Sequence, residues 1–314
     1  MYAVTIDDGS LEWREHADPR PREGEILVAV KAAGINAADL LQRRGLYPAP
    51  PRSPPDIPGM EFAGEVVDRG LGAGRFSPGD RVMSITGGGG QAQLAVVAEG
   101  MALAVPDPVG WDQAGGFPEA FYTAHDALFT QAHLTAGERV LISGAAGGVG
   151  SAAVQLAHAA GAHVVASVRS VDRHREVVGL GADEVVVPAE VAGHGPYDVS
   201  LELVGGEAVA AVLPAMATRG RVVVIGVGAG AKVELNLLAV MGRRVTIGGS
   251  TLRSRTVEEK SEVARLVNEH VLALLADGTV TVPVVDRVPL AEATRGYERF
   301  AAGGKLGKIV LVND

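Results

Sequence analysis

The 314-residue chain contains no cysteine. That excludes disulfides, iron–sulfur clusters, a thiolate nucleophile and every cysteine zinc site at once. Aromatic residues make up only 4% of the chain, which leaves few platforms on which nucleic-acid bases could stack. No uncharged apolar run approaches ~18 residues, so a transmembrane helix is not expected. The first residues, MYAVTIDDGSLEW, lack the basic-then-apolar order of a signal peptide, and a cytoplasmic location follows by default. Net charge is −9 with no Lys/Arg run, which argues against nucleic acid and acidic membrane surfaces as partners. Glycine, by contrast, is abundant. There are 42 glycines, where average usage near ~7% would give roughly 22. They cluster in turns, as suits a loop-rich α/β protein. At this length two domains and an ample core are expected.

The most informative stretch is Leu141–Gly161, LISGAAGGVGSAAVQLAHAAG. A β run, Val140 to Ser143, feeds a glycine-rich turn from Gly144 to Gly150. The turn opens directly into a helix of small and aliphatic residues. This is the order of a dinucleotide-binding βαβ unit. Gly147 and Gly150 stand where the second and third glycines of G-x-G-x-x-G would be. The second lets backbone N–H groups approach a pyrophosphate, and the third lets helix and strand pack closely. Ala145 takes the first glycine position, with Gly144 just before it. The phosphates would sit at the helix N-terminus, where free N–H groups and the dipole favour anions.

Residues 1–112 read as short strands with frequent turn signals: 25–33, 61–68, 81–85 and 91–98. Asn36–Arg44 reads as a helical turn or two ending at Gly45, and 48–58 holds six prolines and must be a loop. From about Gln113 the period changes. A helix over 114–132 is followed by strands at 140–143, 163–167, 184–187, 197–203, 221–226 and 244–248, with helices near 150–160, 172–180 and 206–218. The expectation is α/β: a Rossmann doubly wound parallel sheet over 114–250 with right-handed crossovers. A compact β-rich domain over 1–113 would be completed by 251–314. The tail holds a long amphipathic helix, 258–276, and strands at 282–288 and 307–312 that pack back on the first domain.

NAD enzymes place an acidic residue at the end of the second strand to hold the ribose 2′-hydroxyl. Here the strand runs on as Val168-Arg169-Ser170-Val171-Asp172-Arg173. Arg169 or Arg173 could clamp a 2′-phosphate, with Ser170 donating a hydrogen bond, which points to NADPH. The competing reading is a solvated loop in which Asp172 and Glu176 pair the arginines.

Around this nucleotide site the chain resembles the medium-chain dehydrogenase/reductase superfamily over essentially its full length. Within it, the chain is similar to the zinc-free NADPH:quinone oxidoreductases, especially the tumour-suppressor-inducible branch. The resemblance is carried by GINAADLLQRRGLYP at 34–48, PGMEFAGEV at 58–66, GGGGQAQL at 87–94 and PEAFYTAHDAL at 118–128. AAGGVG at 145–150, TLRSR at 251–255 and GKIVL at 307–311 complete it. It implies a GroES-like first domain and a cleft between that domain and the nucleotide domain, where the nicotinamide would serve the acceptor. It also implies a homodimer, through the edge strand near 244–248.

The superfamily's alcohol dehydrogenases hold catalytic zinc with two cysteines and a histidine. Those positions fall here on Asn36, Met60 and about Glu119, an amide, a thioether and one carboxylate that make a poor zinc set. No metal is expected. The resemblance places Thr123 beside the nicotinamide. It gives the remaining cofactor contacts to Ala146, Gly147, Gly148, Val149, Gly150, Val204, Ile225, Gly226, Thr251, Leu252 and Arg253, beside Arg169, Ser170 and Arg173. One departure is Pro188, where relatives often carry a Tyr or His on the adenosine phosphate.

Quinone reduction needs little beyond positioning, because the acceptor is strongly electrophilic and water supplies protons. An α,β-unsaturated carbonyl also needs a proton donor or a group that polarises the carbonyl. Tyr47 and Asn36 are the candidate catalytic residues, with Asp39 beside them. The pattern I-N-x-x-D…G-x-Y equally resembles the zinc-free enoyl thioester reductases, in which that tyrosine is the proposed acid. The bland alternative is that Asn36 and Asp39 only cap the following helix. Glu119 reads as a first-turn carboxylate and His125 as a packed or solvated histidine. Arg253 and Arg255 fit either a substrate contact or surface charge, and Gly87–Gly90 reads as a flexible turn. A third class, a nucleotide-binding structural protein with little turnover, would show saturable NADPH binding without reduction of any acceptor.

Overall fold

The computed structural model describes residues 1–313, which form two compact units. One comprises Met1–Tyr122 and the chain from Leu252 onward, the other Thr123–Thr251. The first boundary falls inside the helix Pro118–His125, nine residues beyond the position read from the sequence.

The first unit carries strands β1 (Tyr2–Asp7), β2 (Ser10–Glu15), β3 (Glu25–Gly34), β4 (Glu61–Arg69), β5 (Arg81–Ile85), β6 (Leu94–Ala98) and β7 (Ala102–Ala104). The β1–β2 hairpin turns on Asp8 and Gly9, both at positive φ, the geometry of a two-residue turn matched to strand twist. In β3, Ile26, Val28, Val30 and Ala32 are buried at every second position, the period of a strand with one face in the core.

The second unit contributes β8 (Arg139–Ser143), β9 (His163–Ser167), β10 (Glu184–Val186), β11 (Tyr197–Glu202), β12 (Met216–Val224) and β13 (Thr246–Gly249). They form one six-stranded sheet in the order β10-β9-β8-β11-β12-β13, parallel throughout. The order reverses between β8 and β11. In open α/β sheets that switch point, at the carboxyl ends of the strands, is where ligands bind. Val140, Leu141 and Ile142 are wholly buried, as a strand covered on both faces requires.

The chain's last strands, β14 (Val284–Pro289) and β15 (Lys308–Val312), return to the first unit. Its sheet runs β14-β15-β3-β4-β5-β7, with β6 also on β3. β15 pairs antiparallel with β3, setting Val310 opposite Gly34. This pairing brings residue 308 to the end of β3.

Two helices differ from their sequence expectation. The stretch read as one helix over 114–132 is three pieces: Trp111–Gly116, Pro118–His125 and a π-helical Asp126–Gln131. The first break precedes Pro118, which has no N–H to continue the ladder. The helix read over 258–276 divides at Val271 into Val257–His270 and Leu272–Ala276.

Candidate active site

In the second unit the glycine turn leaves β8 at Gly144, whose φ of +68° is a conformation L side chains rarely adopt. Gly147 N donates to Gly144 O at 3.0 Å and closes the turn. The helix Gly148–Ala159 starts at once, with Gly147 as N-cap and no side chain capping it. The N–H groups of its first turn therefore stay open to an anion. The two later glycines do different work. A Cβ on Gly150 would lie 2.4 Å from Gly144 O and 2.7 Å from Ala145 Cα, so this glycine permits close packing. A Cβ on Gly147 would meet only Gly144 O, at 3.4 Å, so the space above it is open for backbone approach. The residues present fit a dinucleotide pyrophosphate.

The other expected nucleotide residues of this unit gather on neighbouring strand ends. Val204 follows β11, which neighbours β8 in the sheet, and Ile225 and Gly226 follow β12, the strand beyond it. Arg169 and Ser170 follow β9, with Arg169 exposed, while Arg173 Nη1 donates to Glu176 Oε1 at 2.6 Å. Thr123 is buried in the helix Pro118–His125. Thr251 is exposed and follows Ser250, whose Oγ donates to Asp126 Oδ2 at 3.0 Å.

Sequence reasoning missed Glu202, the last residue of β11. Its Oε1 accepts from Ser143 Oγ at 2.8 Å, Val204 N at 2.7 Å and Gly205 N at 2.9 Å. Its carbonyl accepts from Ile225 N and Gly226 N. One buried carboxylate thus ties together the loops on both sides of the switch point. The only signal in the sequence is an acidic residue ending an apolar strand.

In the first unit a second polar group forms where β3, β4 and β15 meet. Asn36 follows β3 and starts the helix Ala37–Arg43, but its side chain turns away from the helix. Asn36 Nδ2 donates to Glu61 Oε1 at 2.9 Å, and Asn36 Oδ1 accepts from Lys308 Nζ at 2.6 Å. Lys308 Nζ also donates to Glu61 Oε1 at 2.5 Å, a pair buried to 3% and 0% exposure. Glu61 Oε2 accepts from Glu119 N at 2.9 Å. Gly34 makes room for this pair, because a Cβ there would lie 2.2 Å from Glu61 Oε1. Asp39 is fully buried and accepts from Asn36 N at 2.8 Å and Gly59 N at 3.1 Å. Burial outweighs those bonds and pushes its carboxyl up to about 6.

Tyr47 and Arg253 meet nearby. The buried Arg253 donates Nε to Gly87 O at 2.9 Å, Nη1 to Tyr47 O at 2.9 Å and Nη2 to Gln42 Oε1 at 2.5 Å. Its guanidinium stacks 4.8 Å from the Tyr47 ring centroid. Arg253 and the buried Leu252 therefore belong to the first unit, with the guanidinium engaged there on three sides.

Zinc does not fit these residues. Both polar atoms of the Asn36 amide are engaged, and the ammonium of Lys308 already supplies the cation against Glu61. Among the described residues no group of three His, Cys, Asp or Glu side chains is arranged to hold a metal.

Residues 22–130 match the family described as alcohol dehydrogenase GroES-like domain, and 148–269 match the zinc-binding dehydrogenase family. A quinone oxidoreductase of Rattus norvegicus is 32% identical over 305 residues, covering 94% of this chain and 91% of that protein. A stretch of the polyketide synthase GfsB of Streptomyces halstedii is 33% identical over 316 residues, covering 98% of this chain and 5% of the synthase. Among solved structures, a mycobacterial protein in complex with NADPH superposes with a TM-score of 0.87 at 26% identity, covering 99% of this chain and all of the other.

Proposed function

The chain belongs to the medium-chain dehydrogenase/reductase family and is a pyridine-nucleotide-dependent oxidoreductase, and from that premise we propose that it uses NADPH to reduce quinones and related enones without a metal. The observation that carries this reading is the Lys308–Asn36–Glu61 cluster. The family's metal-dependent members need a Lewis acid, and here a lysine ammonium holds the charge position that a metal would need. An acceptor that is already electrophilic needs no Lewis acid.

When bound, NADPH supplies the hydride. The turn Gly144–Gly150 holds its pyrophosphate on open backbone N–H groups, and Arg169 and Ser170 take the 2′-phosphate. Arg173 joins them by exchanging its Glu176 partner for the phosphate. Val204, Ile225, Gly226, Thr123 and Thr251 orient the rest of the nucleotide. Asn36 and Tyr47 orient the acceptor carbonyl, and Arg253 fixes Tyr47 through its carbonyl and ring. Leu252 supports that segment from the core.

NADPH oxidation by the purified protein on an ortho-quinone, a para-quinone and crotonyl-CoA tests the assignment. Turnover on the quinones is expected; turnover confined to crotonyl-CoA would replace it with enoyl thioester reduction. The likeness to a polyketide synthase segment favours that second reading. NADPH binding with no turnover on any of the three would remove both.

A further inference from the structure

We propose that Glu119 is a catalytic acid of this site, giving its proton to the α carbon of an enone acceptor. The inference rests on the reading above and goes beyond it, because a quinone needs no such donor.

Three carboxylates converge at this point of the first unit, and two are already committed. Glu61 is bound by Lys308, Asn36 and the Glu119 N–H. Asp39 is bound by two backbone N–H groups and has no exposed surface. Glu119 differs from both. Among the described residues its carboxyl has no hydrogen-bond partner, and the residue is half-buried. Within the first unit, the Glu61 carboxylate accepts from both Glu119 N and Asn36 Nδ2, so Glu119 stands beside the residue assigned above to the acceptor carbonyl.

Burial, with the Glu61 charge beside it, keeps Glu119 protonated. Glu61 on β4 and Asp39 on the helix Ala37–Arg43 oppose ionisation. Lys308 on β15 and Arg253 favour it, and Lys260 on the helix Val257–His270 also faces the carboxyl. Burial and Glu61 dominate, and the carboxyl is pushed up to about 8. A carboxylic acid in that range holds its proton at neutral pH and is still strong enough to give it away.

The step balances. The enone β carbon accepts hydride from the nucleotide, forming a C–H bond while the π pair shifts to give an enolate. The enolate α carbon then takes the Glu119 proton, breaking its O–H bond and leaving a carboxylate that water reprotonates. One NADPH and one proton are consumed per saturated ketone formed.

The variant Glu119→Gln removes a side chain that holds nothing and keeps the backbone N–H on Glu61, so it is expected to fold. With 2-methylcyclohexenone, the ratio of enone to quinone turnover is expected to fall by about 10²-fold, in the range typical of a lost general acid. The enantiomeric excess of the 2-methyl ketone should fall with it, a change that mere loosening of the helix would not produce. An infrared carboxylic-acid band present at pH 7 in the parent protein should be missing from the variant. An unchanged ratio and enantiomeric excess, or no such band, would overturn the inference. A parent protein that reduces quinones but not the enone overturns it while leaving the proposed function standing; one that reduces neither overturns both.

Discussion

Replacing Lys308 by methionine isolates the energetics of the buried polar cluster. The substitution keeps an unbranched apolar stem of similar shape and removes the ammonium, which donates to Asn36 Oδ1 at 2.6 Å and Glu61 Oε1 at 2.5 Å. At an effective dielectric near 20, unit charges this close attract by about 6–7 kcal/mol. Desolvating the ammonium offsets several kcal/mol of that. Losing one partner of a buried pair therefore costs about 3–5 kcal/mol, because Glu61 remains buried with only Asn36 Nδ2 and Glu119 N as donors. The two tryptophans, Trp13 and Trp111, both lie in the first unit, so urea unfolding followed by tryptophan fluorescence reads the unit that holds the cluster. We expect the unfolding free energy to drop by about 3–5 kcal/mol in Lys308→Met, read as a lower urea midpoint at unchanged slope. The double variant Lys308→Met/Glu61→Gln should recover most of that loss, since no charge is then left buried. A loss below about 1 kcal/mol, or a double variant as weak as the single one, would refute the account. Should Lys308→Met fail to fold, Glu61→Gln alone tests the same pair from the other side.

The glycine turn separates packing from binding. Gly150→Ala should destabilise the second unit by more than about 2 kcal/mol, since its Cβ would sit 2.4 Å from Gly144 O. Gly147→Ala should leave stability nearly unchanged and weaken NADPH binding at least tenfold, which calorimetric titration would detect. The reverse ranking would overturn the roles given to the two glycines. Stability should also fall as pH rises. Asp39 and Glu119 are pushed up to about 6 and about 8, so the native state keeps protons that the unfolded chain releases near pH 4. Between pH 6 and 8 the loss attributable to Glu119 should be about 1–2 kcal/mol after allowing for its partial exposure. Denaturant unfolding of Glu119→Gln at the two pH values should show a smaller drop.

Much of the fold was readable because its causes are local. Glycines that demand positive φ, prolines that deny an N–H, and apolar runs ended by turn residues act over a few positions. The turn at Gly144–Gly150 and the six parallel strands could be placed from such signals. Asn36 and Tyr47 could be proposed as polar residues in a recognisable segment, but their surroundings were not legible. Lys308 lies 272 residues from Asn36, and Arg253 lies 206 residues from Tyr47. Neither pairing leaves a periodicity or a spacing. Glu119, in sequence only an acidic residue after a proline, became distinctive once Glu61, Asp39 and Lys308 were seen around it. Composition and spacing alone determined the α/β class, the glycine turn after β8 and the lack of any cysteine metal site. Only the return of β15 to β3 decided which charges are buried together, because a charge takes its meaning from its neighbours in space.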